Sequence, residues 1–186
     1  AYKKSALEAN DIINAMNEVA NRNAIEMDDM GSAYKRAAST SAQAGTSFAQ
    51  LTGLITAGQE ATRVGGETMG TAIKAMDVNL GKIGSGITKG DNDKYEFLKN
   101  IGVDVKDANG ELKSTYQVLE DLNKVWGNLN SKQKSTAGFN LAGKHFQNVF
   151  SGIMGNWDVV LKATNEAQGQ VDLIDKKSGS AFKEFE

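Results

Sequence analysis

Not one of the 186 residues is proline, so no position forbids a helix from running on. Punctuation falls instead to 20 glycines, above the roughly 7% share usual in proteins. Glycines end helices in left-handed backbone or let two helices approach closely. A chain written this way folds as helices whose lengths are set by caps and glycines.

The apolar spacing agrees. Ala6, Ala9, Ile13, Met16 and Ala20 step by three and four, with Ile12 and Val19 widening the stripe. Met27, Met30, Tyr34, Ala37 and Ser41 form a second face, ending near Gly45. Thr46 or Ser47 can cap a third helix with Phe48, Leu51, Leu54 and Ile55 inward. A fourth starts near Gly66 and turns Met69, Ile73, Met76, Leu80 and Ile83 inward.

The text "GKIGSGITKGDND" then reads as a loop, with Asp91 or Asp93 capping a short helix that Gly102 stops. Val103 and Val105 alternate, Asn109-Gly110 suits a tight turn and Leu112 returns, which predicts a small β-hairpin over residues 103–113. Ser114 with Gln117 spells a capping box ahead of Val118, Leu119, Leu122, Val125, Trp126 and Leu129. Asn130 or Ser131 caps the next helix. Another carries Phe146, Val149, Phe150, Ile153 and Met154, and the remainder from Trp157 is helical. The expected fold is mainly α: a single multi-helix globular domain over 1–186 with that one hairpin. A subdivision near 84–92 would separate helices 1–83 from the hairpin and helices of 92–186.

Bulk properties narrow the chemistry. With no cysteine there are no disulfides, thiolate metal sites or cysteine nucleophiles. A net charge of -2 gives no electrostatic footprint for nucleic acid or an anionic membrane. Apolar runs such as Val159 to Leu161 are far shorter than the roughly 20 residues of a spanning helix. The opening "AYKKSALEAND" has basic residues without the apolar stretch of a secretory signal. A start without Met and the closing "SGSAFKEFE" read as a piece of a longer chain.

Several stretches look like chemistry. Residues 138–144 spell seven of the eight positions of a phosphate-cradling loop, G-x-x-x-x-G-K. Such a loop needs a strand before it and a magnesium-binding hydroxyl at its end. Here "NSKQKSTA" precedes it and His145 stands last, so Gly143 reads as a helix stop. "GKIGSG" lacks the strand of a dinucleotide loop, and "DVKDANGELK" puts Val105 and Tyr116 where a calcium loop needs ligands. Asp91 to Asp93 read as a solvated cap. His145, the only histidine, falls beside a helix end, and no pair of acids stands out for glycoside cleavage. The six methionines and Trp126 fall at core spacing. No catalytic, cofactor-binding or metal residue is therefore assigned, and no cofactor.

One resemblance does cover the chain. "TSFAQLTGLITAGQEATRVGGETMGTAIKAMDVNLGKI" resembles the core region of bacteriophage tail tape measure proteins, through Ala57-Gly58, Thr62-Arg63, Gly66, Gly70 and Lys74. A second block, from Phe97 to Phe150, is similar to that family's next segment through Phe97, Leu98, Gly102, Val105, Asp107, Gly110, Leu119, Leu122, Trp126, Leu129, Ala142 and Gly143. "SGSAFKE" resembles a Gly-Ser-Ala step into a further helix. Lys144, Val64 and Gly65 depart from the pattern, which otherwise runs collinearly from about Ser5 to Glu184.

The resemblance implies a structural virion protein that sets tail length, helps assemble the tail tube and is ejected during DNA delivery. It implies the tail lumen, and the host cytoplasm during assembly, as its locations. Tail tube protein, tail assembly chaperones, tail-tip proteins and other tape measure copies are the implied partners, without sequence-specific nucleic acid. The expected role is not enzymatic. The competing readings are a membrane-active module aiding genome passage, and a nucleotide or cell-wall hydrolase. Liposome leakage would favour the first of these, and ATP binding lost on Lys144→Ala the second.

Overall fold

The computed structural model describes the backbone of residues 6–23 and 25–183, and the side chains of 12–23 and 25–172. Among these residues the chain forms nine helices in sequence. They are α1 (Ala6–Arg22), α2 (Met27–Gln43), α3 (Phe48–Thr62), α4 (Gly66–Ser85), α5 (Lys89–Asn100), α6 (Thr115–Trp126), α7 (Ser131–Ala142), α8 (Gln147–Gly155) and α9 (Trp157–Lys183).

Local chemistry fixes most of the boundaries. Ser47–Gln50, Thr88–Asp91, Ser114–Gln117 and Asn130–Gln133 each form a reciprocal capping box, so that two orphan N–H groups find partners at each start. Of the two alternatives at α3, Ser47 is the cap; at α7, Asn130 is. Replacing Ser114 with alanine is expected to cost about 1 kcal/mol, read as a shift of the denaturant midpoint at unchanged slope. No change in the midpoint would mean that packing alone positions α6.

Helix α5 ends as its glycine foretells. The Val103 N–H reaches Leu98 O at 2.9 Å and the Gly102 N–H reaches Lys99 O at 3.0 Å. Gly102 takes φ +87, where a side chain would be strained. Leu98 and Val103, both buried, close the apolar contact that accompanies such an ending.

The architecture is built around α3. Eleven of its fifteen residues are buried, so it is covered on every side rather than along one stripe. Helices α9 and α8 cover much of it, and α2 and α4 pack against it and against each other. Close approach is possible because glycines face backbone. A Cβ on Gly53 would lie 2.6 Å from Val160 O of α9, and one on Gly70 would lie 2.3 Å from Ala33 O of α2. The buried apolar residues form one cluster running from Ala15 in α1 to Ala167 in α9.

The structure corrects several expectations. The β-hairpin is absent: residues 103–113 form a turn closed by a single antiparallel bridge, Lys106 to Leu112. The Asp107 carboxylate accepts from the Asn109 and Glu111 N–H groups at 2.8 and 2.9 Å, taking donors that a ladder would use. Val103 and Val105 are buried, and of the two only Val105 bonds across the turn, its carbonyl accepting the Lys113 N–H at 2.9 Å. The loop expected from Gly81 is shorter than read. Burial of Ile83 draws the "GKIGS" turn into α4, and Thr88 rather than Asp91 or Asp93 caps α5.

Orientation errors are also informative. Ile13 is 51% exposed, and the buried face of α1 is Ala15, Met16, Val19 and Ala20; the Ala6 and Ala9 side chains lie outside the described residues. Trp126 is only half-buried, beneath the Lys134 ammonium 5.3 Å from its ring, whereas Trp157 is buried. The backbone of residues 178–183 continues α9, so the Gly-Ser-Ala stretch opens no new helix; residue 184 lies outside the described residues.

Candidate functional site

The phosphate-loop pattern dissolves into a helix. Residues 138–142 belong to α7, and Gly143 ends it at φ 75 with its N–H bonded to Phe139 O at 3.0 Å. Amides already committed to a helix cannot converge on a phosphate. Gly138 is buried under the Phe150 ring, so its lack of a side chain serves packing. Phe139 is 51% exposed, while Asn140, Leu141 and Ala142 are buried. Lys144 and His145 are exposed, and among the described residues neither forms an ion pair.

The remaining candidates are equally occupied. Gly81 to Ser85 is the last turn of α4, where Gly84 makes room for the Leu112 side chain. Asp107 serves its own turn, and Asp91 serves the α5 cap, where the Thr88 hydroxyl holds its carboxyl below the usual range. Among the described residues no group of three or more His, Asp or Glu side chains is placed to hold a metal ion. No described helix is long and apolar enough to cross a membrane.

Several buried or half-buried polar groups join helices. Asp77, in the inward face of α4, accepts from Ser41 Oγ of α2 at 2.7 Å and from Thr115 Oγ1 of α6 at 2.6 Å. Burial pushes its carboxyl above the ordinary value, and bonds from Thr115, Ser41 and Thr40 only partly offset this. Asp29 of α2 accepts the Gly66 N–H at 2.8 Å, capping α4 from a neighbouring helix where its own Gly65 cannot. Asn79 of α4 donates to Leu141 O of α7 at 2.9 Å, and Asn23 donates to Glu166 of α9 at 3.1 Å.

Asp77 was not singled out from the sequence. The signal was present: one acid at 77 interrupts the apolar face between Ile73, Met76 and Leu80, where a solvated carboxylate has no place. Ser41 was placed correctly on the buried face of α2, but nothing in the sequence pairs it with a residue 36 positions away.

A cleft of about 130 Å³ lies between the start of α2 and the end of α3, lined by Ile25, Glu26, Asp29, Gln59, Arg63 and Val64. Ligand pockets commonly measure roughly 300–1,000 Å³, so this one suits a few waters or a side-chain tip. Arg63 shapes its rim as the left-handed cap of α3, at φ 55.

The arrangement therefore defines a helical scaffold in which buried polar side chains fasten one helix to the next. Residues 1–143 match the family described as phage-related minor tail proteins, and the chain belongs to that family. It is a bacteriophage tail component, with a place in the virion tail beside other tail proteins. No solved structure matches the chain.

Proposed function

We propose that this chain is part of a tail tape measure protein, acting as one structural domain without a catalytic role. The observation that carries the reading is the block from Ala57 to Lys74. Its residues match the tape measure pattern in order, and four of them, Gly58, Arg63, Gly66 and Gly70, have architectural tasks in this fold. Gly58 lies against Met69 and Ile153, Arg63 closes α3, and Gly66 and Gly70 seat α4 on α2. A segment kept for such duties supports a role in building rather than in turnover.

In this reading the parent protein lies in the lumen of the growing tail tube, fixes its length and leaves during DNA delivery. Its contacts are the tube protein, assembly chaperones, tail-tip proteins and other copies of itself, made in the host cytoplasm. Deleting the coding segment in frame is expected to yield intact but shorter tails in electron micrographs. The shortening reaches about 280 Å if all 186 residues lie in the tube as helix at 1.5 Å each. Intact tails of unaltered length would remove the segment from the ruler.

A further inference from the structure

Asp77 lies midway along α4, 6% exposed, with its two carboxylate oxygens on different helices: Oδ2 on Ser41 in the last turn of α2, Oδ1 on Thr115 in the first turn of α6. Both partners are hydroxyls, and the Thr40 hydroxyl adds a third neutral bond. Neutral hydrogen bonds replace only part of the hydration that an ionised carboxylate loses on burial.

Among the described residues no cation makes up the difference. On α4, Lys74 and Lys82 are exposed; on α2, Arg36 is held by Glu67 at 3.0 Å; at the entrance to α6, Lys113 is held by Asp121 at 2.8 Å. The bonds that reach the Asp77 carboxylate come from hydroxyls alone, while Asp121 of α6 is engaged by Lys113 and Asp91 of α5 by Thr88. The remaining side chains of α4's inward face, such as Ile73, Met76 and Leu80, are apolar.

We propose that Asp77 is a proton-operated latch between α2, α4 and α6: neutral, it fastens the three helices; ionised, it is where they part. A carboxyl that binds its proton more tightly folded than unfolded adds stability in full below the unfolded value. That contribution is lost as pH rises through the folded value, by at most tenfold in the unfolding equilibrium per pH unit for one proton. Asp104, held low by the Lys106 N–H, and Asp121, pushed up by burial but drawn lower overall by Lys113 and Lys124, act oppositely. Their contributions disappear as pH falls. Stability thus falls on the acid side through Asp104 and Asp121 and on the alkaline side of the Asp77 titration through Asp77.

The test is a carbon-13 titration of the Asp77 carboxyl in this chain, with denaturant midpoints of wild type and Asp77→Asn at pH 5 and 7.5. The expected midpoint of titration lies above the ordinary aspartate value and rises further in Ser41→Ala, which removes one donor to the ionised form. The denaturant midpoint of wild type falls between pH 5 and 7.5 relative to that of Asp77→Asn. Amide protection at pH 7.5, corrected for intrinsic exchange, is lowest where α2 and α6 meet α4. An ordinary or depressed titration midpoint overturns the proposal even if Asp77→Asn does not fold. So does a variant that keeps the wild-type pH dependence.

Discussion

Gly70→Ala is expected to cost about 3 kcal/mol and to lower the melting temperature by roughly 6–12 °C. The added Cβ would sit 2.3 Å from Ala33 O and 2.8 Å from Ala33 Cα, so α2 itself must move. That movement would also pull Asp29 away from the Gly66 N–H that it caps. Helix propensity predicts the opposite sign, because alanine normally gains about 0.5–1 kcal/mol over glycine within a helix. Gly81→Ala isolates that gain: it lies in the same helix with nothing within 4 Å of the added carbon, and is expected to stabilise. Calorimetric melts of both variants decide the matter. If Gly70→Ala melts at or above wild type, the α2–α4 crossing is not sterically fixed.

The second large effect belongs to Phe150. Its ring is 1% exposed, meets Trp126 edge-on at 5.7 Å and covers Gly138. Phe150→Ala removes the seat that joins α6, α7 and α8, and about 3–5 kcal/mol of stability is expected to go with it. Trp126 fluorescence, read in a variant with Trp157 replaced by phenylalanine, should shift to longer wavelength as water reaches the exposed indole. A loss below about 1 kcal/mol would mean that neighbouring side chains collapse into the space.

Helix identity and the starts of α3, α6 and α7 were legible because they depend on residues three apart. Ser114 and Gln117 carry their own instructions. The register of α1 was not, since Ile13 and Ala15 are both consistent with an apolar stripe until α9 decides which side is covered. Trp126, expected at core spacing, is half-buried for the same reason: size marks a residue for burial, but Lys134 and Phe150 determine how much of the indole stays wet. The hairpin failed on side-chain chemistry, since the "DANG" text satisfies its own amides through Asp107. For the polar latch, the isolated acid was visible at 77, yet its meaning depends on Ser41 and Thr115, which only the fold brings to it.

The central position of α3 has a consequence for synthesis. Gly53 packs on Thr164, 111 residues later in the chain. At about 5–20 residues per second, roughly 5 to 20 s pass between the two leaving the ribosome. During that interval a helix that ends up buried on every side is without one of its main partners. The nascent chain therefore spends its most aggregation-prone moments before α9 exists.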